Sequence, residues 1–405
     1  MENSTAWYTG RVQPYSLYLH IPFCQLRCSY CDFNTYEGLE VAIPAYVDAL
    51  CRELESSTMD WEKDIPVHTV YLGGGTPSLL PVELLIRIIN TVMNCFDLLS
   101  ELELTLEANP GTISREYLKD IRQAGVNRLS LGMQSANPGE LKLLERRHGF
   151  GDVVNAVTWA RQAGIHNINL DLIFGLPYQT IESWQRSLDL AINLKPPHFS
   201  LYALTLEGEA PMHHWVEKGK IKQPDPDLAA EMYERASERL NKAGYIQYEI
   251  SNWALRSDLD EHFYCKHNLQ YWRNLPYLGM GAGAHGYANG SRTINVFTPI
   301  EYIQKCMNIQ TYPFPKTLAT EKLVPVDIDT EMAETMIMGL RLVSEGVSEI
   351  GFYQRFNREL KDVFKDEITT LISQGLLEWD NGTGGNLRLT SKGRLLGNQV
   401  FIKFV

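Results

Sequence analysis

His20-Ile21-Pro22-Phe23-Cys24-Gln25-Leu26-Arg27-Cys28-Ser29-Tyr30-Cys31-Asp32-Phe33 is the stretch from which the rest of the chain is read. Three cysteines at spacings of four and three sit on one loop, directly after the strand-like run Ser16 to Ile21. Thiolates so placed can take three irons of a [4Fe-4S] cubane and leave the fourth without a protein ligand, whereas a cluster held wholly by protein uses four. The open iron then needs an exogenous ligand. A structural zinc ion is the competing use of such a loop, and it would want a fourth Cys or His nearby. His20 is at hand, but it precedes the loop, in the presumed strand.

The other four of the seven cysteines, Cys51, Cys95, Cys265 and Cys306, are scattered. An odd count with one tight cluster fits a disulfide framework badly, so the scattered ones read as small buried hydrophobes. With 405 residues, 44% of them apolar and 21% charged, the chain suits a large α/β domain plus a smaller one. The net charge of -12 removes any global electrostatic case for nucleic acid. No run reaches the 18 or so apolar residues of a membrane span, and the first ten residues lack a basic segment followed by an apolar one. A cytoplasmic protein is expected, with membrane contact only through a partner.

Outward from the cysteine loop, short β-branched or aromatic runs alternate with helical stretches, the pattern of a parallel sheet. The expected strands are Ser16 to Ile21, His68 to Leu72, Leu102 to Ala108, Arg128 to Met133, Ile168 to Phe174 and His198 to Leu204, with another near Ile246 to Ile250. Val82 to Phe96 shows the helical period, with Leu85, Ile88, Ile89, Val92 and Phe96 on one face. Just before it, Gly73-Gly74-Gly75-Thr76-Pro77 forces a turn at the carboxyl end of a strand, the edge where parallel α/β folds place their sites.

Residues 1–250 therefore read as the main α/β domain and 251–325 as an irregular segment rich in aromatics, His and Gly. Residues 326–405 read as a small C-terminal α+β domain. In the last, helices run through Met338 and Leu342 and again from Phe356 to Gln374. Strands Leu376 to Trp379 and Asn386 to Leu389 flank the turn Asn381 to Gly385, and a helix follows over Ser391 to Phe401. This order resembles a winged helix, and on an acidic chain it points to a structural or partner-docking wing rather than a DNA reader.

Cys-x3-Cys-x2-Cys followed by an aromatic resembles the radical S-adenosylmethionine superfamily. Tyr18 to Cys24, Gly73 to Pro77, Arg128 to Gln134 and Asp171 to Pro177 together resemble the oxygen-independent coproporphyrinogen III oxidase family over nearly the whole chain. The resemblance implies a partial (β/α)6 barrel with cluster and cofactor at the carboxyl edges of its strands. It implies that Cys24, Cys28 and Cys31 hold the cluster while S-adenosylmethionine chelates the open iron. Gly74, Gly75 and Thr76 would face its methionine moiety, and Glu107, at the end of the third strand, would offer a carboxylate. Gln134, ending the fourth strand, Arg146, one helix further on, and Asp171, ending the fifth, would meet its hydroxyls and carboxylate. Tyr18 and Tyr30 would lie beside cluster and adenosyl group.

The oxidase branch of that family continues its cluster motif with a fourth cysteine where this chain has Phe33, and carries a longer N-terminal extension, whereas only 23 residues precede Cys24 here. The chain resembles instead the family's haem chaperone branch, which has Cys31-Asp32-Phe33 and the signature His267-Asn268-Leu269-Gln270-Tyr271-Trp272. That resemblance implies haem as a ligand, with His267 on its iron and Tyr271 and Trp272 as walls, and Cys265 as a second conceivable ligand. A haem-accepting protein is the implied partner, and a homodimer stays open. A radical S-adenosylmethionine oxidase acting on a porphyrinogen and a zinc-stabilised interaction protein are the competing readings.

Overall fold

The computed structural model describes residues 13–59, 61, 65–206, 208, 210–256, 263–308, 310–380 and 385–405. Six strands follow one another in chain order: β1 (Tyr15–Ile21), β2 (Pro66–Gly74), β3 (Asp97–Ala108), β4 (Arg128–Gln134), β5 (Asn167–Phe174) and β6 (His198–Ala203). Each pairs in parallel with the next. Helices α1 (Ile43–Met59), α2 (Val82–Cys95), α3 (Arg115–Gln123), α4 (Pro138–Leu143), α5 (Phe150–Gln162) and α6 (Ile181–Asn193) lie in the connections. Ser114, Asn137 and Thr180 start α3, α4 and α6, each accepting a first-turn backbone N–H on its side chain. The expected partial (β/α)6 barrel is therefore present.

Strands of a parallel sheet buried on both faces usually read as unbroken apolar runs. These alternate instead. Leu17, Leu19 and Ile21, Leu104 and Leu106, Leu129, Leu131 and Met133, and Ile168, Leu170 and Leu172 join the helices in one apolar core. Between them Tyr18, Glu107, Arg128, Ser130, Asn169 and Asp171 turn to the barrel interior, which is a polar cavity.

The stretch expected to be irregular is built into the same sheet. It contributes β8 (Asn252–Leu255), β9 (Tyr277–Met280), β10 (His285–Ala288) and β11 (Ser291–Asn295), and β12 (Thr320–Pro325) follows. β9 joins β1 in parallel, and β10, β11 and β12 continue from it as antiparallel strands. These strands are too short to show the period of two, and the glycines of β9 and β10 serve close approach: a Cβ on Gly279 would lie 1.9 Å from the His285 carbonyl oxygen. The strand expected near Ile246 forms as β7 (Tyr245–Glu249), but at the sheet edge, antiparallel to β8, which separates it from β6. Among the described residues the sheet has twelve strands in the order β12-β11-β10-β9-β1-β2-β3-β4-β5-β6-β8-β7.

The C-terminal part has its own apolar core, built on Met336, Phe352, Leu371 and Leu387. α11 (Ile328–Gly339), numbered after α7 (Pro211–Glu217), α8 (Pro226–Lys242), α9 (Lys266–Trp272) and α10 (Pro299–Cys306), opens it. The single helix expected over Phe356 to Gln374 is broken: Phe356 ends a helix that begins at Glu349, and two more follow, Leu360–Val363 and Lys365–Ser373. Asn357 ends the first in the left-handed conformation at φ 53°. The expected last helix breaks at Leu396. Leu377–Trp379 and Asn386–Leu389 pair with Val347–Ser348 into a three-stranded antiparallel wing. The turn between the first two lies outside the described residues except for Gly385. No described helix is long and apolar enough to cross a membrane.

Candidate cofactor and cluster site

A cavity of about 840 Å³ opens at the carboxyl ends of β1 to β6, and all thirteen candidate residues line it. The cysteine loop forms part of its wall. A tight turn closes the loop, Cys31 N donating to the Cys28 carbonyl at 3.1 Å, and Ser29 anchors it through Oγ to the Leu143 carbonyl at 2.8 Å. The glycine turn lies against it, with Gly75 N on the Ile21 carbonyl and Thr76 N on the Phe23 carbonyl, both at 2.8 Å. That contact explains the glycines. A Cβ on Gly75 would sit 2.6 Å from the Phe23 carbonyl oxygen, and one on Gly74, whose φ is 111°, would sit 2.5 Å from the His20 ring.

Cys24 Sγ lies 3.7 Å from Thr76 Oγ1, Cys31 Sγ 3.8 Å from Thr35 Oγ1, and Cys28 Sγ 3.5 Å from Arg146 Nη1. Burial pushes the Cys24 thiol up to about 11 and raises that of Cys31. Their thiolates therefore need a cation beside them, which fits bound iron. His20 is not free to join a zinc site: its Nδ1 meets the Tyr18 hydroxyl at 3.0 Å and its Nε2 the Asn34 carbonyl at 2.9 Å.

Deeper in the cavity, Glu107 accepts from the Tyr71 hydroxyl at 2.7 Å and from Gly74 N at 3.0 Å. Burial, with the Asp171 charge as a further cause, pushes its carboxyl up to about 7. Asp171 lies three residues inside β5 rather than at its end, and accepts from Ser130 Oγ at 2.9 Å and Asn169 Nδ2 at 2.8 Å. Arg146 follows α4 and donates from Nη2 to the Gly132 carbonyl at 2.9 Å. A Cβ on Gly132 would come within 3.0 Å of that nitrogen, so the glycine makes room for the guanidinium. Gln134 closes β4 with φ 61°. Gln134 Oε1 and Arg146 Nε are buried without a hydrogen-bond partner, an unmet demand that fits a ligand rich in polar groups. Tyr30 and Tyr18 are half-buried in the cavity wall, and loss of solvent around their hydroxyls keeps both phenols protonated.

Three residues of this cavity were not picked out from the sequence. Tyr71 orients Glu107, and Arg128, 2% exposed, and His148 each leave a nitrogen unpartnered. The polar partners in otherwise apolar strands were the available signal, most plainly Arg128 at the head of β4.

The signature residues 267–272 form α9, which plugs the lower end of the barrel. Glu103 caps its first turn, taking Lys266 N and His267 N at 3.2 Å each. His267 and Tyr271, one turn apart, both line the cavity. Yet His267 is 1% exposed and has both ring nitrogens engaged, with Thr69 Oγ1 and with the Tyr271 hydroxyl, both at 2.8 Å. Trp272 corrects the expectation of a haem wall: it points away, to the C-terminal domain, under the Arg341 guanidinium at 4.9 Å. Cys265 is likewise removed from the cavity, its thiol against Glu103 and pushed up to about 12 by burial.

The model of the Radical SAM superfamily matches residues 18–191, and that of the HemN C-terminal domain matches 326–396. "Heme chaperone HemW" of Bacillus subtilis (strain 168) is 36% identical over 96% of this chain and 99% of its own length. The protein of the same name in Escherichia coli (strain K12) is 39% identical over 68% of this chain and 71% of its own. Among solved structures, coproporphyrinogen III oxidase (HemN) from Escherichia coli, a radical SAM enzyme, superposes with a TM-score of 0.80 over 99% of this chain and 92% of that one. At 23% identity that likeness speaks for the fold alone.

Proposed function

Since the chain belongs to the radical SAM superfamily, and within it to the HemW family, we propose that it binds haem and passes it to a target protein, with a [4Fe-4S] cluster and S-adenosylmethionine as cofactors. The observation that carries the cofactor part is the gathering of three cysteines, a glycine turn and unpartnered polar groups around one cavity. Bound there, the cluster supplies an iron with an open coordination position and the capacity to give up one electron. Cys24, Cys28 and Cys31 hold it. Gly74, Gly75 and Thr76 let backbone approach the methionine end of S-adenosylmethionine, and Arg146, Gln134, Glu107 and Asp171 orient its polar groups. Tyr18 and Tyr30 cover the site and exclude water.

The haem part rests on the family, and its test is anaerobic reconstitution followed by haem titration and a porphyrinogen product assay. Haem binding without protoporphyrinogen formation is expected. Turnover of coproporphyrinogen would favour the oxidase reading instead, against which Phe33 stands where that branch has its fourth cysteine.

Arg146→Ala and Asp171→Ala are each expected to weaken S-adenosylmethionine binding roughly tenfold to a hundredfold, the loss of a charge-assisted hydrogen bond, with the cluster retained. Calorimetry giving unchanged affinity in both would remove these assignments. The same titration has a pH dependence of known sign. With its carboxyl at about 7, Glu107 is neutral below that pH and anionic above it. Affinity for the cationic cofactor therefore rises between about pH 6 and about pH 8. Glu107→Gln should flatten that rise.

A further inference from the structure

The cavity that gathers the cofactor residues is a poor place for a haem macrocycle. Glu107, Asp171 and Arg128 face into it, and a flat apolar ring laid on them would strip water from charges without replacing it. His267 sits at its closed end with no free nitrogen. An iron ligand needs an unshared imidazole lone pair, and most of the other described histidines lack a free one in reach of the site. His20 and His198 have both nitrogens engaged, and His68 is bonded to Ser16 and Gln270. His148 keeps Nδ1 unpartnered, but the residue is 4% exposed with Nε2 on the Met133 carbonyl, too enclosed for a macrocycle to reach, and His166 lies just ahead of β5, on the opposite edge of the sheet. His213 and His214 both lean on Glu217.

His285 differs. It is exposed, and neither ring nitrogen has a hydrogen-bond partner among the described residues. It opens β10 just after the turn from β9, and because β9 runs parallel to β1 this turn lies on the same edge as the cysteine loop. The two are fastened together. Asn34, three residues beyond Cys31, donates its amide to the Ala282 carbonyl at 3.1 Å and to the Phe297 carbonyl at 2.9 Å. Gly283 leaves the space for that amide, since a Cβ there would be 2.2 Å from it. The Phe297 ring stands edge-on to the His285 ring with centroids 6.5 Å apart and is 50% exposed; Phe33, beside Asn34, is 64% exposed. An exposed phenyl ring beside a free imidazole, with a second exposed phenyl on the adjoining cysteine loop, supplies the groups that cover a macrocycle and bind its iron.

Resting on the proposed haem function, we infer that haem docks on the rim of the cavity beside the cysteine loop, with a nitrogen of His285 coordinating its iron and Phe297 against the macrocycle. Partial burial and the Arg292 charge hold the His285 imidazole below its usual range, so its lone pair is available at neutral pH. Ligation here is a simple exchange: the imidazole nitrogen donates a lone pair to iron and displaces a water, with no change of oxidation state. One protein ligand on an open rim leaves the opposite face of the iron to solvent. An acceptor's own ligand can attack there before the His285 bond breaks, which a haem sealed in the barrel would forbid.

The test is haem titration of the anaerobically reconstituted full chain, read by the Soret band and by equilibrium affinity, with the iron-sulfur absorbance as the check that the fold and cluster persist. His285→Ala is expected to bind haem at least tenfold more weakly and with a shifted Soret band, Phe297→Ala to weaken binding with the band in place, and free imidazole to restore the wild-type spectrum to His285→Gly. A His285→Ala chain with wild-type spectrum and affinity overturns the inference, as does loss of the spectrum on replacing His213 and His214 with His285 intact. A wild-type chain that binds no haem removes the haem function itself, a failure plainly different from either.

Discussion

Replacement of any one of Cys24, Cys28 or Cys31 by Ala is expected to abolish the iron-sulfur absorbance of the reconstituted protein. In the proposed site each thiolate would be the sole protein bond to one iron, and the groups nearest the three sulfurs cannot take its place. Thr76 and Thr35 offer hydroxyls, which are hard ligands for a site that selects soft sulfur, and Arg146 offers only donors. The effect is all or none, because a cubane held at two corners is open to solvent and to loss of iron. Cys51→Ala and Cys95→Ala serve as controls and should keep the full signal. Cys51 lies on α1 against the Thr91 hydroxyl, remote from the cavity wall. A triple variant that still carries a complete [4Fe-4S] spectrum would contradict the assignment outright.

The second large effect is on stability. Glu53, on α1, is fully buried, and its carboxylate accepts from Gly281 N at 2.8 Å, Asn295 Nδ2 at 2.9 Å, Tyr302 Oη at 2.6 Å and Thr317 Oγ1 at 2.6 Å. These donors come from the β9 to β10 turn, from β11, from α10 and from the segment before β12. One side chain therefore ties the added antiparallel strands to the barrel. Glu53→Ala removes the shared acceptor of four buried donors; Asn295 Nδ2 keeps the Gly281 carbonyl and Thr317 Oγ1 can turn to Thr320, but Gly281 N and Tyr302 Oη are left with none, at about 1 to 3 kcal/mol for each that water cannot reach, so a loss of about 3 kcal/mol or more is expected. Glu53→Gln, which keeps the shape but sets an amide N–H against other donors, should fall between. Denaturant unfolding of Glu53→Ala within about 0.5 kcal/mol of the wild type would show that the network is not what holds this part of the sheet.

The barrel was legible because its signals are local. Cys24 to Cys31 sit on eight consecutive positions, the glycine turn follows a strand, and Leu85, Ile88, Ile89 and Val92 mark α2 by their spacing. The gathering of the site was legible for the same reason: residues at the carboxyl ends of successive parallel strands must meet. What escaped notice is non-local. The strands of residues 277–325 are four to six residues long and take their shape from Gly283, Asn34 and Glu53, whose contacts join positions far apart in the chain. The family resemblance implies His267 as a ligand, but a motif shows a histidine without its partners; only the fold reveals Thr69 and Tyr271 on its two nitrogens. The helix expected over Phe356 to Gln374 failed at Asn357, whose left-handed cap was readable in principle, since Asn is the residue after Gly that most readily takes that conformation.

The proposed cofactor site holds a cubane whose one open iron S-adenosylmethionine would occupy. Electron paramagnetic resonance of the anaerobically reconstituted and reduced protein tests it most directly, with spectra taken before and after addition of S-adenosylmethionine. A [4Fe-4S]+ signal whose g-values shift on addition is expected, because the cofactor's amino and carboxylate groups would then ligate the fourth iron. A colourless, zinc-bearing protein, or a cluster signal that S-adenosylmethionine leaves unchanged at saturating concentration, would contradict it.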